Sequence, residues 1–216
     1  MVNKIIITSF DIGKKNFAFV IEEIDLDKLK FIQNIPKKIR YNINGTSTSI
    51  FNKTLSSLYQ CGKVLLFRNL DLTGNCDKKA YLDPKTFFNM NEELDKYKEY
   101  WDKCSIFIIE KQMAFKGKRN TMALKLGQNC FSYFIFNYGV TKTIVEFSAY
   151  YKTQILGAQK KLTKHQRKKW AIEKALSILA EREDYENLTH LNSVKKKDDI
   201  SDCILMNIAY TFMHLL

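Results

Sequence analysis

The chain has 216 residues, 45% hydrophobic and 27% charged, with only 2 prolines and 8 glycines. That composition supports one ordinary folded domain with a sizeable core and excludes a disordered or low-complexity polymer. Thirty-five Lys and Arg against 23 Asp and Glu leave a formal charge of +12, a surplus that points to an acidic partner, of which nucleic acid is the usual one.

Residues 5–10 are a short apolar, β-branched run that stops at Asp11-Ile12-Gly13, the pattern of a buried strand ending in a glycine turn. Residues 16–24 continue as a second extended run with Phe17, Phe19 and Ile21 on one face, so a β-hairpin is expected with Asp11 between its strands. Ser, Thr and Asn are frequent over 42–57, where irregular structure or a short helix is expected. Residues 63–70 read as a third strand, and 71–90 as a loop with Gly74 and Asp83-Pro84 as turn signals. Over 91–104, Leu94, Tyr97 and Trp101 have helical spacing behind Asn91 as N-cap.

Residues 105–109 (SIFII) are an apolar run of strand length that ends at Glu110. After a basic link at 116–120, Met122, Leu126, Cys130 and Phe134 recur at i, i+4 and predict a helix over 121–138. A further strand is expected at 143–147. Thr163 and Gln166 have capping-box spacing, and Ile172, Ala175, Leu176 and Leu179 form the stripe of the helix they open. A last helix is expected from Asp198 or Asp199, with Ile200, Ile204, Ile208, Phe212 and Leu215 on its apolar side. Strands come first, then helices alternate with strands, without internal repeat or interdomain linker. The expectation is one α/β domain with a mixed sheet.

The charge is not spread evenly. Residues 111–197 hold 18 Lys and Arg and 6 Asp and Glu, a net of +12, whereas the rest holds 17 of each kind. A surplus confined to one stretch has the form of a polyanion footprint. Its members Lys111, Lys116, Lys118, Arg119, Lys152, Lys160, Lys161, Lys164, Arg167 and Lys168 are candidate backbone contacts. No apolar run reaches the roughly 18 residues of a membrane-spanning helix, and residues 1–7 lack the features of a signal peptide. The five cysteines are scattered and form no Cys-x-x-Cys pair. No membrane partner, no zinc site and a reducing intracellular compartment are therefore expected.

Acids stand where structure alone does not obviously need them. Asp11 ends the first strand, Glu110 ends SIFII, and Asp198, Asp199 and Asp202 open the last helix. Taken singly, each has a plain explanation as turn chemistry, a solvated strand end or a helix cap. Taken together they converge, provided the two strands are neighbours and the last helix crosses them. Converging carboxylates either take up protons or hold a divalent cation. Oxygen-only ligands suit Mg²⁺ or Mn²⁺, and two such ions support phosphodiester hydrolysis.

Four segments resemble the RuvC family of Holliday-junction resolvases, within the RNase H-like superfamily. They are Phe10-Asp11-Ile12-Gly13-Lys14-Lys15-Asn16, similar to the poxvirus-type branch; Ile108-Ile109-Glu110-Lys111-Gln112; Ala123-Leu124-Lys125-Leu126-Gly127-Gln128; and Lys197-Asp198-Asp199-Ile200-Ser201-Asp202. The resemblance implies an RNase H-like α/β fold with a mixed sheet, in a single domain over 1–216 with a family-specific expansion at about 34–91. It implies Asp11, Glu110, Asp199 and Asp202 as metal ligands, with Asp198 able to take the place of Asp199, and Mg²⁺ or Mn²⁺ as cofactor, two ions per site. It implies Met113 or Phe115 as a wedge against unstacked bases, and Lys152 and Lys164 as phosphate contacts, a part that other basic residues of 160–169 could also play. The implied activity is endonucleolytic cutting of four-way DNA junctions by a homodimer whose subunit contact draws on apolar residues of the 121–138 helix. If the source is viral, the setting is the host cytoplasm. Three rivals remain: another branched-DNA or RNA–DNA hybrid nuclease, a non-catalytic DNA-binding module, and one lobe of an actin-like ATPase.

Overall fold

β1 (Lys4–Asp11) and β2 (Phe17–Asp25) form the expected hairpin, with Phe10 opposite Phe19 and Asp11 opposite Ala18. β3 (Gly62–Leu70) pairs antiparallel with β2, and β4 (Cys104–Glu110) pairs parallel with β1. Ala114–Phe115 (β5) and Lys118–Arg119 (β6) make a separate two-stranded ladder, and β7 (Thr143–Phe147) completes the main sheet beside β4. The order β3-β2-β1-β4-β7 is half antiparallel and half parallel, the mixed α/β sheet that the sequence implies. The structure is a computed structural model that describes residues 3–77, 79–112, 114–115 and 118–216.

Between β2 and β3 lie α1 (Leu26–Lys30) and α2 (Ser49–Tyr59). Between β3 and β4 lie α3 (Lys85–Asp95) and α4 (Lys98–Trp101). α5 (Thr121–Tyr138) precedes β7, and α6 (Tyr150–Ile155), α7 (Lys164–Glu181), α8 (Tyr185–Ser193) and α9 (Lys197–His214) follow it. α5 and α7 fall where their periodicity predicts, and Thr163 and Gln166 close a complete capping box.

The sheet is covered on both faces. On one face Ile7, Val20 and Ile108 pack with Phe51, Leu55, Ala175, Leu179 and Ile204 from α2, α7 and α9. On the other, Phe10, Phe19 and Phe107 pack with Met90, Leu94, Trp101 and Phe134 from α3, α4 and α5. Phe134 sits 4.2 Å from the Phe107 ring centroid and 5.0 Å from that of Phe10.

Three expectations give way. Residues 71–90 are not all loop, because α3 starts directly after Pro84 with Asp83 Oδ1 accepting from the Lys85 amide at 2.9 Å. A proline suits a helix start as well as a turn. Asn91 lies inside α3 and caps nothing; the expected 91–104 helix is two helices broken at Lys96–Tyr97, where the Trp101 indole donates to the Leu94 carbonyl at 2.7 Å. α9 has no single apolar side: from Ile200 to Phe212 every residue but Asp202 is buried, because the sheet lies on one flank and α6, α7 and α8 on the others.

Candidate active site

The pleat decides where the acids point, since successive strand residues alternate faces. In β1, Ile7 belongs to the α9 layer and Phe10 to the α5 layer. Ser9 Oγ donates to the α9 carbonyl of Cys203 at 2.8 Å, so Asp11, two residues on, leaves on the α9 face. In β4, Ile106 and Ile108 lie in the α9 layer and Phe107 and Ile109 in the other, so Glu110 leaves on the α9 face too. The register Phe10↔Ile109 then sets Asp11 and Glu110 side by side at the C-terminal ends of parallel neighbours, the edge where α/β sheets bind ligands. Asp202, the one half-buried position within the central run of α9, meets them there, close enough for its charge to act on Asp11.

Burial pushes the Asp11 carboxyl well above the usual carboxylate range, and the charge of Glu110, a hydrogen bond shared with Glu110 and the charge of Asp202 add to the rise. Burial also raises Asp202, with Lys152 opposing and Glu110 and Asp198 reinforcing. Lys152, on α6, is only 5% exposed, and its Nζ lies 2.6 Å from Asp202 Oδ2. Burial alone would lower its pKa, but the charges of Asp202, Glu110 and Asp11 outweigh it and hold the ammonium form. Gln112 Nε2 donates to Glu110 Oε2 at 3.1 Å and steadies that carboxylate.

The remaining two acids face elsewhere. Asp198 pairs with Lys168, whose hydrogen bond and charge outweigh burial and hold the carboxyl below its usual range. Asp199 accepts from Asn69 Nδ2 of β3 at 3.4 Å, and burial together with the charge of Asp198 raises it. The structure thus brings Asp11, Glu110 and Asp202 together, with Asp198 electrostatically next to Asp202. Asp199 is turned to β3. Among the described residues no group of three or more His, Cys, Asp or Glu side chains stands ready to hold a metal ion. The donor chemistry of Asp11, Glu110 and Asp202, oxygen only, still suits a hard divalent cation, and the Lys152 ammonium stands where such a cation would supply the positive charge.

A cleft of 940 Å³ opens from Glu110 and Asp202. Lys111, Lys152, Lys160, Lys161, Lys164, Arg167 and Lys168 line it, against Glu110 and Asp202 as its only acids among the described residues. Three of the lysines are already engaged: Lys152 with Asp202, Lys168 with Asp198, and Lys160, whose Nζ donates to the Ile43 carbonyl at 2.9 Å. Met113 and Lys116 lie outside the described residues, as do the side chains of Phe115, Lys118 and Arg119. Sequence reasoning missed Asn69, Gln112, Lys37 and Tyr41. Gln112, two residues past Glu110, was legible as a partner on the same side; Asn69, Lys37 and Tyr41 carried no local signal. No described helix is long and apolar enough to cross a membrane.

No protein-family profile matches the chain. Protein 170L of Invertebrate iridescent virus 6 is 32% identical over 236 residues, spanning 98% of this chain and 90% of its own length. Protein 97L of Invertebrate iridescent virus 3 is 31% identical over 215 residues, spanning 96% and 100%. Among solved structures, the fowlpox virus Holliday junction resolvase superposes with a TM-score of 0.52 at 18% identity, over 96% of this chain and 98% of that one. Thermus thermophilus RuvC superposes at 0.52 with 9% identity over 96% and 94%, and the same protein in complex with Holliday junction substrate at 0.51 with 9% identity over 98% of both chains. The chain belongs to the family of the iridescent-virus 170L and 97L proteins, and its fold is the RNase H-like fold of the RuvC-type resolvases.

Proposed function

We propose that the protein is a junction-resolving endonuclease that hydrolyses phosphodiesters in four-way DNA, acting as one domain over residues 1–216 with 34–91 as a family-specific expansion. The observation that carries this reading is the meeting of Asp11, Glu110 and Asp202 at the head of a basic cleft. Asp11, Glu110 and Asp202, with Asp198 or Asp199 as a fourth acid, would hold Mg²⁺ or Mn²⁺. When bound, such ions lower the pKa of water and stabilise charge on phosphoryl oxygens. The chain's own residues do the rest. Lys111, Lys161, Lys164 and Arg167 hold the strand by its phosphates in the cleft. Gln112 fixes the Glu110 carboxylate, and Lys152 keeps the pocket neutral enough to fold. Hydrolysis adds water across the bond from phosphorus to the 3′ oxygen and leaves a 5′-phosphate and a 3′-hydroxyl. The fold shared with proteins named as Holliday junction resolvases supports the substrate class.

The test is a synthetic four-way junction against a linear duplex of the same sequence, with Mg²⁺. The junction is cut and the duplex is spared. Glu110→Gln loses about a hundredfold or more in rate, because several kcal/mol of transition-state stabilisation go with the ligand, while junction binding is kept. Equal cutting of both substrates, or of neither, refutes the proposal. Two symmetric nicks call for a two-fold dimer. The stripe Leu126, Cys130 and Phe134 is spent on the core, which leaves Ile135, Phe136 and Val140 as the exposed apolar contact, with Phe136 89% exposed. Light scattering reads this as twice the chain mass. A second reading is a DNA-binding module without catalysis, favoured by Lys152 sitting on Asp202; a metal titration without effect on the protein would select it.

A further inference from the structure

Among the described residues, α9 is tied to β1 and β2 by three buried side-chain hydrogen bonds as well as by apolar contact. The shortest lies directly beneath the acids. Ser9 is two residues before Asp11 on the α9 face of β1, and its ladder neighbour in β4, Ile108, is two residues before Glu110. Across the interface stands Cys203, the residue after Asp202. The Ser9 hydroxyl donates to the Cys203 carbonyl at 2.8 Å, and both residues are fully buried. A helix carbonyl has a second lone pair free for such a bond. Ser9 thus joins the strand that carries one acid to the helix that carries another.

Two longer bonds follow the same line. The Cys203 thiol donates to the Ala18 carbonyl at 3.6 Å, and Asn207 Nδ2 to the Val20 carbonyl at 3.4 Å. Ala18 and Val20 are the β2 ladder partners of Asp11 and Ser9. Packing does not ask for a hydroxyl at Ser9. Its ladder neighbours Val20 and Ile108 are aliphatic and belong to the α9 layer, and a buried hydroxyl costs free energy unless it is bonded. Apolar contact has no direction, so it leaves the height of a helix on a sheet loosely set. A slip of one residue along α9 would be about 1.5 Å of rise and about 100° of rotation, which carries Asp202 away from Asp11 and Glu110. A directional bond one residue from Asp202 opposes that slip.

We propose that Ser9 is a positioning residue of the acid site: through the Cys203 carbonyl it sets the height of α9, so that Asp202 meets Asp11 and Glu110 where a divalent cation would bind. The inference rests on the metal-dependent reading of that site and adds to it a residue that touches neither DNA nor metal. Groups that orient metal ligands from behind are worth about ten- to a hundredfold in metal affinity.

The experiment measures Mn²⁺ binding to the full chain by calorimetry, with junction binding in EDTA as the check that the fold and the cleft are intact. The variants are Ser9→Ala, which removes the bond, and Thr8→Val. Thr8 is also fully buried, faces the other side of β1, and its hydroxyl has no partner among the described residues. Ser9→Ala weakens Mn²⁺ binding about tenfold or more, whereas Thr8→Val leaves it within about twofold. Both keep junction binding within about twofold, because the cleft lysines are untouched. Mn²⁺ affinity unchanged in Ser9→Ala, or reduced as much in Thr8→Val, overturns the inference alone. So does loss of junction binding in Ser9→Ala, since the bond would then hold the fold rather than the site. An unaltered chain that binds no Mn²⁺ overturns the metal-dependent reading and this inference with it.

Discussion

Replacing Lys152 with Met removes a buried cation that faces three carboxylates and keeps the side-chain volume. Loss of one partner from a buried ion pair costs about 3–5 kcal/mol. The lower end applies here, because burial already raises Asp11 and Asp202 and so eases their protonation. At about 2–4 °C per kcal/mol for a chain of this size, a loss of about 3 kcal/mol lowers Tm by roughly 6–12 °C in EDTA. Adding Mg²⁺ recovers much of that loss, since a divalent cation supplies the missing charge and binds only the folded acids. Adding Asp202→Asn to Lys152→Met removes the stranded charge, so the double variant is more stable than Lys152→Met alone. Thermal unfolding followed by circular dichroism, with and without Mg²⁺, reads all three. A Tm for Lys152→Met within about 2 °C of the unaltered chain in EDTA would refute the view that Lys152 is the counter-ion of the acid pocket.

Three further outcomes bear on the frame and on the cleft. Arg182 Nη2 lies 2.6 Å from Glu22 Oε1, and Glu22 is fully buried, so Arg182→Met costs about 3–5 kcal/mol in denaturant unfolding by stranding that charge. Gly62→Ala is destabilising by about 1–3 kcal/mol in the same assay, because a methyl there would overlap Glu22 Oε1 and the Arg182 guanidinium. Lys164→Ala with Arg167→Ala, both on the cleft rim, weakens binding to junction and duplex alike and lowers the salt slope of log K by about 2; an unchanged slope would place the DNA elsewhere.

Where a segment carried its own periodicity, its structure was legible. β1, β4, α5 and α7 fall at the expected places because an unbroken apolar run marks a strand covered on both faces, and a helical stripe records which face meets the core. α2 and α3 were obscured by polar residues and by Pro84, since a proline preceded by Asp reads equally as a turn or a helix start. α8 has a single buried residue, Leu191, and so no stripe to read. The acids were legible as a set, but their division of labour was not. Spacing along α9 cannot tell that Asp202 joins Asp11 and Glu110 while Asp199 turns to Asn69.

The amino-acid sequence by itself determined the mixed α/β sheet, the acids at the ends of β1 and β4 and the concentration of positive charge after Glu110, because these are properties of single strands and of composition. Only the tertiary structure decided that Lys152 sits among the acids, that Lys160 is taken up in holding Ile43, and that a turn before β3 walls the cleft. Those pairings join residues more than a hundred apart in one case and fifty in the other. They depend on how α6, α7 and α9 stack on the sheet, and no local pattern of residues encodes a contact at that range.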